Sequence, residues 1–300
     1  MSALLGVLSV EDLQKIEQNL CGYRKVTFRS KSRKIRYLNI PNQYLMDIQR
    51  KILNKILYVV EPSSYSTAYY KGSSIGNNAV RHHNASWLLK VDIENFFDSI
   101  KNTHIKFALN EYFPHLSIYA IDEIIELCTV DGHLPQGAPT SPHIANIVMY
   151  KFDHEISEIC SKLDCIYSRY ADDISISSSN ERSIEIINLV IRSKILEMNM
   201  KINDKKMKII GPNKRKIVTG IDINANIIRP SRVFRKKTMA LVRMSEKYPS
   251  KMTVHYKRIM GYIAHWEGCC IGAGHHDPEL VKIKTKMLKL TKAKRYDFKE

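Results

Sequence analysis

The sequence is short of acid. Among its 300 residues, 30 Asp and Glu stand against 47 Lys and Arg, a formal charge of +17 with a pI near 9.5. Such a deficit points to a polyanionic partner. Long apolar runs are missing too. No stretch approaches the roughly 18–20 residues that a transmembrane helix needs, so a spanning segment is excluded. The opening MSALLGVLSVEDLQ lacks the positive n-region of a secretory signal, and acids follow soon after. A cytoplasmic location is therefore expected. Cys21, Cys128, Cys160, Cys165, Cys269 and Cys270 show no C-x-x-C spacing, and neither His82-His83 nor His275-His276 completes a zinc pattern with them. Free thiols in a reducing compartment are expected, not a disulfide framework. Internal repeats and low-complexity segments are absent.

What is present is unevenly spread. Residues 229–300 hold 18 Lys and Arg against 6 Asp and Glu, so +12 of the whole +17 lies in the final quarter. That concentration favours an element that tracks phosphates. The length allows two or three subdomains around a sizeable core. Ser9-Val10-Glu11-Asp12 reads as a capping box opening a short helix. Arg24 to Ile40 alternates basic and apolar residues like a solvent-facing hairpin. Leu45, Ile48, Ile52, Leu53, Ile56, Leu57 and Val60 share one helix face. Pro62 to Asn78, rich in Ser, Tyr and Gly, reads as a loop. Helical stretches are expected near 102–130, 141–163 and 181–199. In the last, Ile184, Ile187, Val190, Ile191, Ile195 and Leu196 mark the core side. The tail past Pro230 reads as basic helix, broken between Gly268 and Pro278.

The segment Arg169 to Ser177, RYADDISIS, carries the sharpest chemistry. Strand-forming residues flank Asp172-Asp173, which predicts a β-hairpin with two adjacent carboxylates at its tip. Side-by-side aspartates repel, and a hard divalent cation such as Mg2+ neutralises them best. A second segment, Leu88 to Phe97 (LLKVDIENFF), puts Asp92 at the end of an apolar strand. A third, Leu134 to Pro142 (LPQGAPTSP), is a Pro/Gly-rich turn leading into a helix, with Ser141 as N-cap and Pro142 at the first helical position.

In this order and spacing, the three segments resemble the palm of reverse transcriptases. DIENFF resembles the first palm motif, PQGAPTSP the second and YADD the third, while Lys205-Lys206 in KINDKKMKIIGP resembles the lysine-bearing fourth. Asn78-Ala79-Val80-Arg81-His82 is similar to the NAxxH element of bacterial retron reverse transcriptases, and Val218-Thr219-Gly220 to their VTG element. The resemblance runs from about residue 25 to the C-terminus.

It implies an α+β right-hand polymerase. An N-terminal helix and fingers would occupy 1–86, a palm of antiparallel sheet plus helices 87–228, and a small basic helical thumb 229–300, with no room for an attached RNase H or endonuclease domain. It implies catalytic carboxylates at Asp92, Asp172 and Asp173, with the backbone carbonyl of Ile93, holding two Mg2+ ions for which Mn2+ can substitute. Phe97 would exclude the 2′-hydroxyl of an rNTP. Gln136 and Gly137 would approach dNTP or template, Gly137 by lacking a side chain. Lys34 and Arg36 would grip the triphosphate. Lys206, or equally Lys205, would protonate the leaving pyrophosphate. Asn78, His82, Lys214, Arg215, Lys216, Val218, Thr219 and Gly220 would face or support the RNA, although Asn78 and His82 could equally brace the palm and VTG could be a tight turn.

The activity implied is RNA-directed DNA synthesis on a dedicated structured non-coding RNA, primed from a guanosine 2′-hydroxyl to give a branched RNA–DNA hybrid (msDNA). The setting implied is anti-phage defence with a separate effector protein. A group II intron-like or other defence-associated reverse transcriptase with a different primer is the alternative. A non-catalytic RNA-binding scaffold that retains the palm is the alternative of another class.

Overall fold

In the computed structural model, the described residues are Leu4, 6–29, 35–224, 228–271, Gly274 and 276–296. Helix α1 (Val10–Glu17) opens on the expected capping box: the Ser9 side chain accepts from the Asp12 amide, and Asp12 accepts from the Ser9 amide. Strands β1 (Tyr23–Arg29) and β2 (Ile35–Pro41) form an antiparallel hairpin with Tyr23 opposite Pro41 and Arg29 opposite Ile35. Its residues are mostly exposed, as the basic/apolar alternation implied. Helix α2 (Gln43–Lys55) follows and buries Leu45, Ile48, Gln49, Ile52 and Leu53. The stretch expected as one loop to Asn78 ends sooner: Ser74 caps α3 (Ile75–Val80), which places Asn78 on a helix.

The central sheet is antiparallel, in the order β4-β5-β3-β6. Strand β3 (Trp87–Asp92) is flanked by β5 (Asp173–Ser178) and β6 (Lys208–Ile210), and β4 (Cys165–Tyr170) forms the other edge. Alternation gives the sheet two different faces. Leu89, Val91, Ile174 and Ile176 are completely or almost completely buried and belong to the main hydrophobic core. Around it lie short α4 (Phe96–Ser99), α5 (Asn102–Tyr112), α6 (Ile118–Cys128), α7 (Ser141–Val148), α8 (Tyr150–Lys162) and α9 (Glu181–Glu197). On α9, Ile184, Ile187, Ile191 and Ile195 of the expected apolar side are buried and Val190 is partly buried, but Leu196 is exposed in the last turn. The α7 cap lies one residue earlier than expected: Thr140 is the cap, and Pro142 sits in the first turn.

The other face of the sheet carries Lys90 and Asp92 on β3 and Asp173, Ser175 and Ser177 on β5. Helix α3 covers one end of this face. A small cluster of Ala79, Leu88, Val218, Ile221, Ile223, Ile228 and Cys269 seals the contact. The strands β7 (Ile217–Val218), β8 (Ile221–Asp222) and β9 (Arg229–Pro230) form a second antiparallel sheet beside it. Thus the 228/229 boundary expected from the sequence falls inside a sheet.

Helices α10 (Arg232–Lys247), α11 (Pro249–Met252), α12 (Tyr256–Ile271) and α13 (Pro278–Tyr296) follow, with a core of their own around Val242, Ile259, Ile263, Trp266 and Met287. All six cysteines are free thiols. Among the described residues, no helix is long and apolar enough to cross a membrane.

Candidate active site

The β4–β5 hairpin forms as expected, with Ala171 and Asp172 in its turn and Asp173 opening β5. Ala171 adopts a left-handed conformation, φ 59°. A buried network holds this unfavourable turn in place. Arg169 is fully buried and grips Asp153 of α8 with two hydrogen bonds of 2.7 Å, from Nε and Nη2. Tyr167 donates to the same carboxylate at 2.7 Å. Arg169 Nη1 donates to the Ala171 carbonyl at 3.1 Å, and Asn146 of α7 accepts from the guanidinium through Oδ1. Burial works against the Arg169 cation, but the Asp153 carboxylate outweighs it and holds its pKa up.

Asp92 stands directly opposite Asp173 in the ladder, a like-charge pairing that is unfavourable unless countered. Each aspartate has a lysine. Lys206 Nζ donates to both Asp92 oxygens, at 2.8 and 3.0 Å. Lys90, two residues before Asp92 on the same face, donates to Asp173 at 3.1 Å. Asp172 is drawn in by backbone: its carbonyl accepts from the Ile93 amide at 3.2 Å. Burial raises the Asp172 pKa, and the charge of Asp92 adds to this against a hydrogen bond from its own amide. Burial also raises that of Asp173, with Lys90 opposing.

These groups open onto a cleft of about 490 Å³. Asp92, Ile93, Phe97, Gln136, Asp172 and Lys206 line it, so six of the residues singled out in the sequence come together. Lys206 reaches the cleft and Lys205 is not among its lining. Both phenylalanines line the cleft, Phe96 as a buried core residue and Phe97 half-buried against that core. Asp173 is not part of the lining, and among the described residues no three His, Cys, Asp or Glu side chains converge as a metal-holding group. Of the three aspartates, Asp92 and Asp172 line the cleft, beside Glu94 and Asp98, and the third, Asp173, is taken up by Lys90. The donor set still suits a hard cation. It is all oxygen, and an ammonium already bridges Asp92.

The remaining site candidates have protein contacts of their own. Gly137 (φ 124°) is needed for protein contact: a Cβ there would meet the Asn39 carbonyl oxygen at 3.1 Å. The same loop is tied to β2 by the Asn39 amide donating to the Gln136 carbonyl at 2.9 Å. Asn78 and His82 do not present themselves to RNA, because both are fully buried against the sheet. His82 bonds Ser177 through Nδ1 and Ser168 through Nε2, each at 2.7 Å. Asn78 Oδ1 accepts from Thr67 and Ser168. Burial, followed by the charge of Arg81, pulls the His82 pKa down to about 3, so the ring is neutral. Lys216 is buried as well, its Nζ donating to the carbonyls of Pro212 and Lys214. Val218 is buried, and Thr219 and Gly220 (φ 46° and 85°) make the β7–β8 turn, with Thr219 Oγ1 donating to the Ile75 carbonyl. Lys214 and Arg215 border a separate shallow basin, where Arg215 pairs with Asp222. Lys34 lies outside the described residues. Arg36 is on β2 opposite Phe28.

The sequence reading missed Asp153, Arg169 and Asn146, whose only local signal is the arginine preceding YADD. It also missed Tyr69, Ile35 and Tyr37 of the cleft wall.

Parallels for this arrangement lie among polymerases. A telomerase from Candida albicans, in complex with a fragment of telomeric RNA, superposes with a TM-score of 0.56 at 13% identity, over 90% of this chain and 63% of that one. At that identity the likeness speaks for the fold alone, an α+β polymerase fold. The chain belongs to the reverse transcriptase (RNA-dependent DNA polymerase) family, whose model matches residues 24–229. Similar proteins include the Retron Ec86 reverse transcriptase of Escherichia coli, 31% identical over 204 residues, or 67% of this chain and 63% of that one. The Retron Mx65 reverse transcriptase of Myxococcus xanthus is 24% identical over 87% of this chain and 64% of its own length. The chain therefore spans just under two thirds of each of these relatives.

Proposed function

We propose that this chain is the RNA-directed DNA polymerase of a retron, copying a cognate structured RNA that serves as both template and primer. The observation that carries the reading is the cleft itself: Asp92 and Asp172 share it with Phe97, Gln136 and Lys206 beneath the β1–β2 hairpin. Similarity to several retron reverse transcriptases supports the retron assignment.

Asp92 and Asp172, with the Ile93 carbonyl and Asp173, would hold two Mg2+ ions. When bound, such ions neutralise charge that builds up during phosphoryl transfer. The protein's own part is alignment. Phe97 closes the space a ribose 2′-hydroxyl would need, Gln136 offers its amide to nucleotide or template, and Lys206 can turn from Asp92 to the departing pyrophosphate. Lys34 and Arg36 would grip the triphosphate. Residues 1–86 act as N-terminal helix and fingers, 87–228 as palm and 229–300 as a basic thumb on the RNA. In a non-catalytic scaffold, a carboxylate cluster kept without a metal would be costly.

The resemblance extends the proposal to a branched RNA–DNA product, a separate effector protein, anti-phage defence and a cytoplasmic setting. The test is to express the protein with its flanking genomic DNA and run extracted nucleic acid on a denaturing gel before and after debranching. A small DNA that shifts on debranching supports the retron reading, and an unbranched product moves the chain to another reverse-transcriptase lineage. Asp172→Asn with Asp173→Asn should abolish the DNA while RNA binding persists. Undiminished synthesis would overturn the site assignment.

A further inference from the structure

Tyr69 is an aromatic residue in a conformation that usually belongs to glycine. Its φ is 70°, inside the left-handed region, where a bulky side chain is a genuine outlier. The backbone on either side is pinned. The Ala68 carbonyl accepts from Asn146 Nδ2 at 3.0 Å, and the Tyr70 carbonyl accepts from the Ser73 amide and hydroxyl at 3.1 and 2.7 Å. Just upstream, the segment runs along β4: the Thr67 amide donates to the Arg169 carbonyl at 2.8 Å, and the Arg169 amide to the Tyr65 carbonyl at 3.0 Å. Asn146, which fixes Ala68, also accepts from the Arg169 guanidinium. The strained residue and the catalytic hairpin are thus set by one buried network.

The consequence of that strain is direction. Tyr69 lines the same cleft as Asp92, Asp172 and Phe97, and its ring stands 6.2 Å from that of Phe97 at a tilt of 46°. Phe97 in turn rests on Phe96, centroids 5.5 Å apart, and Phe96 is buried. Phe97 is therefore held from behind by the core and from the side by Tyr69. Without Tyr69, the Phe97 ring would keep only its contact with Phe96 and could swing away from it.

We propose that Tyr69 is a specificity-determining positioning residue, which fixes the ring of Phe97 where it excludes a 2′-hydroxyl and so sets the preference for dNTPs over rNTPs. The inference rests on Phe97 acting as the sugar gate. Strain at Tyr69 is retained because the ring it aims is used. The hydroxyl plays no part in this role, so the ring alone should suffice.

The test is single-nucleotide incorporation on a primed RNA template with Mg2+, measuring kcat/KM for a dNTP and for the matching rNTP. Tyr69→Gly is the informative variant, because glycine accepts φ 70° without strain and leaves the fold intact. Its melting temperature should equal or exceed that of the parent. Its dNTP/rNTP ratio should fall by roughly three- to tenfold, the size of one aromatic contact. Tyr69→Phe should keep the parental ratio. Phe97→Ala is the control. If it collapses the ratio while Tyr69→Gly leaves it unchanged, Tyr69 does not position the gate. If Phe97→Ala also leaves the ratio unchanged, the gate reading itself falls. A ratio lost in Tyr69→Phe would overturn the claim that the ring suffices.

Discussion

The buried pair Arg169–Asp153 offers the most demanding test of how the site is held together. Asp153→Asn preserves shape and removes one charge. Both side chains are completely buried, so the guanidinium cannot turn to water for compensation. Removing one partner of such a pair typically costs about 3–5 kcal/mol. At about 2–4 °C per kcal/mol for a chain somewhat smaller than this one, the melting temperature should drop by roughly 6–20 °C. A second effect should appear well below that temperature. Arg169 also holds the Ala171 carbonyl, the residue that turns the chain into Asp172. Losing one charge-assisted hydrogen bond of about 1.5–3 kcal/mol there implies roughly 10- to 100-fold slower synthesis in a folded protein. Urea unfolding and primer extension at 20 °C separate the two effects. The double variant Asp153→Leu with Arg169→Met replaces the pair with apolar volume, so it should recover much of the stability and little of the activity. An Asp153→Asn protein within 1 kcal/mol of the parent (an order-of-magnitude threshold) would refute the reasoning. So would a fully active double variant.

Two further predictions follow from the same physics. His82 has a folded pKa of about 3 against an ordinary value of 6.5, so its contribution is complete above pH 6.5 and is lost as pH falls towards 3. Between pH 7 and pH 5 it should take about 2 kcal/mol of stability with it, and urea titrations of His82→Gln should lack that share of the decline. On the C-terminal helices, Lys284 and Lys286 are paired with Glu267 and Glu246 across helices, whereas Lys237 lies over the ring of Tyr262 and Lys247 and Lys251 over that of Tyr248. Replacing Lys237, Lys247 and Lys251 with Gln should lower the salt slope of RNA binding by about 0.7–0.9 for each phosphate that is no longer neutralised. The same change at Lys284 and Lys286 should alter the slope less, and an equal effect from both sets would show that helix pairing does not decide which lysines meet RNA.

The parts of the site legible in the sequence are those whose signal is local. Asp172 sits in the turn between two strands and Asp173 opens the second, Asp92 ends a strand of alternating burial, and the Pro/Gly turn at 134–142 runs into its helix. Each is set by neighbours within a few residues. What was not legible depends on partners distant along the chain. Arg169 meets Asp153 and Asn146 from two helices, and Tyr69 meets Phe97 across the cleft. Asn78 and His82 show the limit most clearly. Polar residues before a strand suggest an exposed contact, yet the sheet face they meet is itself polar, with Ser168 and Ser177 placed to bond a histidine. The alternation of β4 and β5 contains those serines, but it does not say what covers them. Lys216 misleads in the same way, since a basic run reads as surface until its carbonyl acceptors are seen.

The clasp between Gly137 and β2 bears on how the molecule can move. A hairpin bonded at Asn39 to the loop that carries Gln136 is fixed at its foot, so any movement of the hairpin has its pivot there. The missing side chain at Gly137 is what lets the two backbones close to bonding distance. A methyl group there would act as a wedge under the pivot, tilting the roof of the cleft while leaving every carboxylate beneath it untouched.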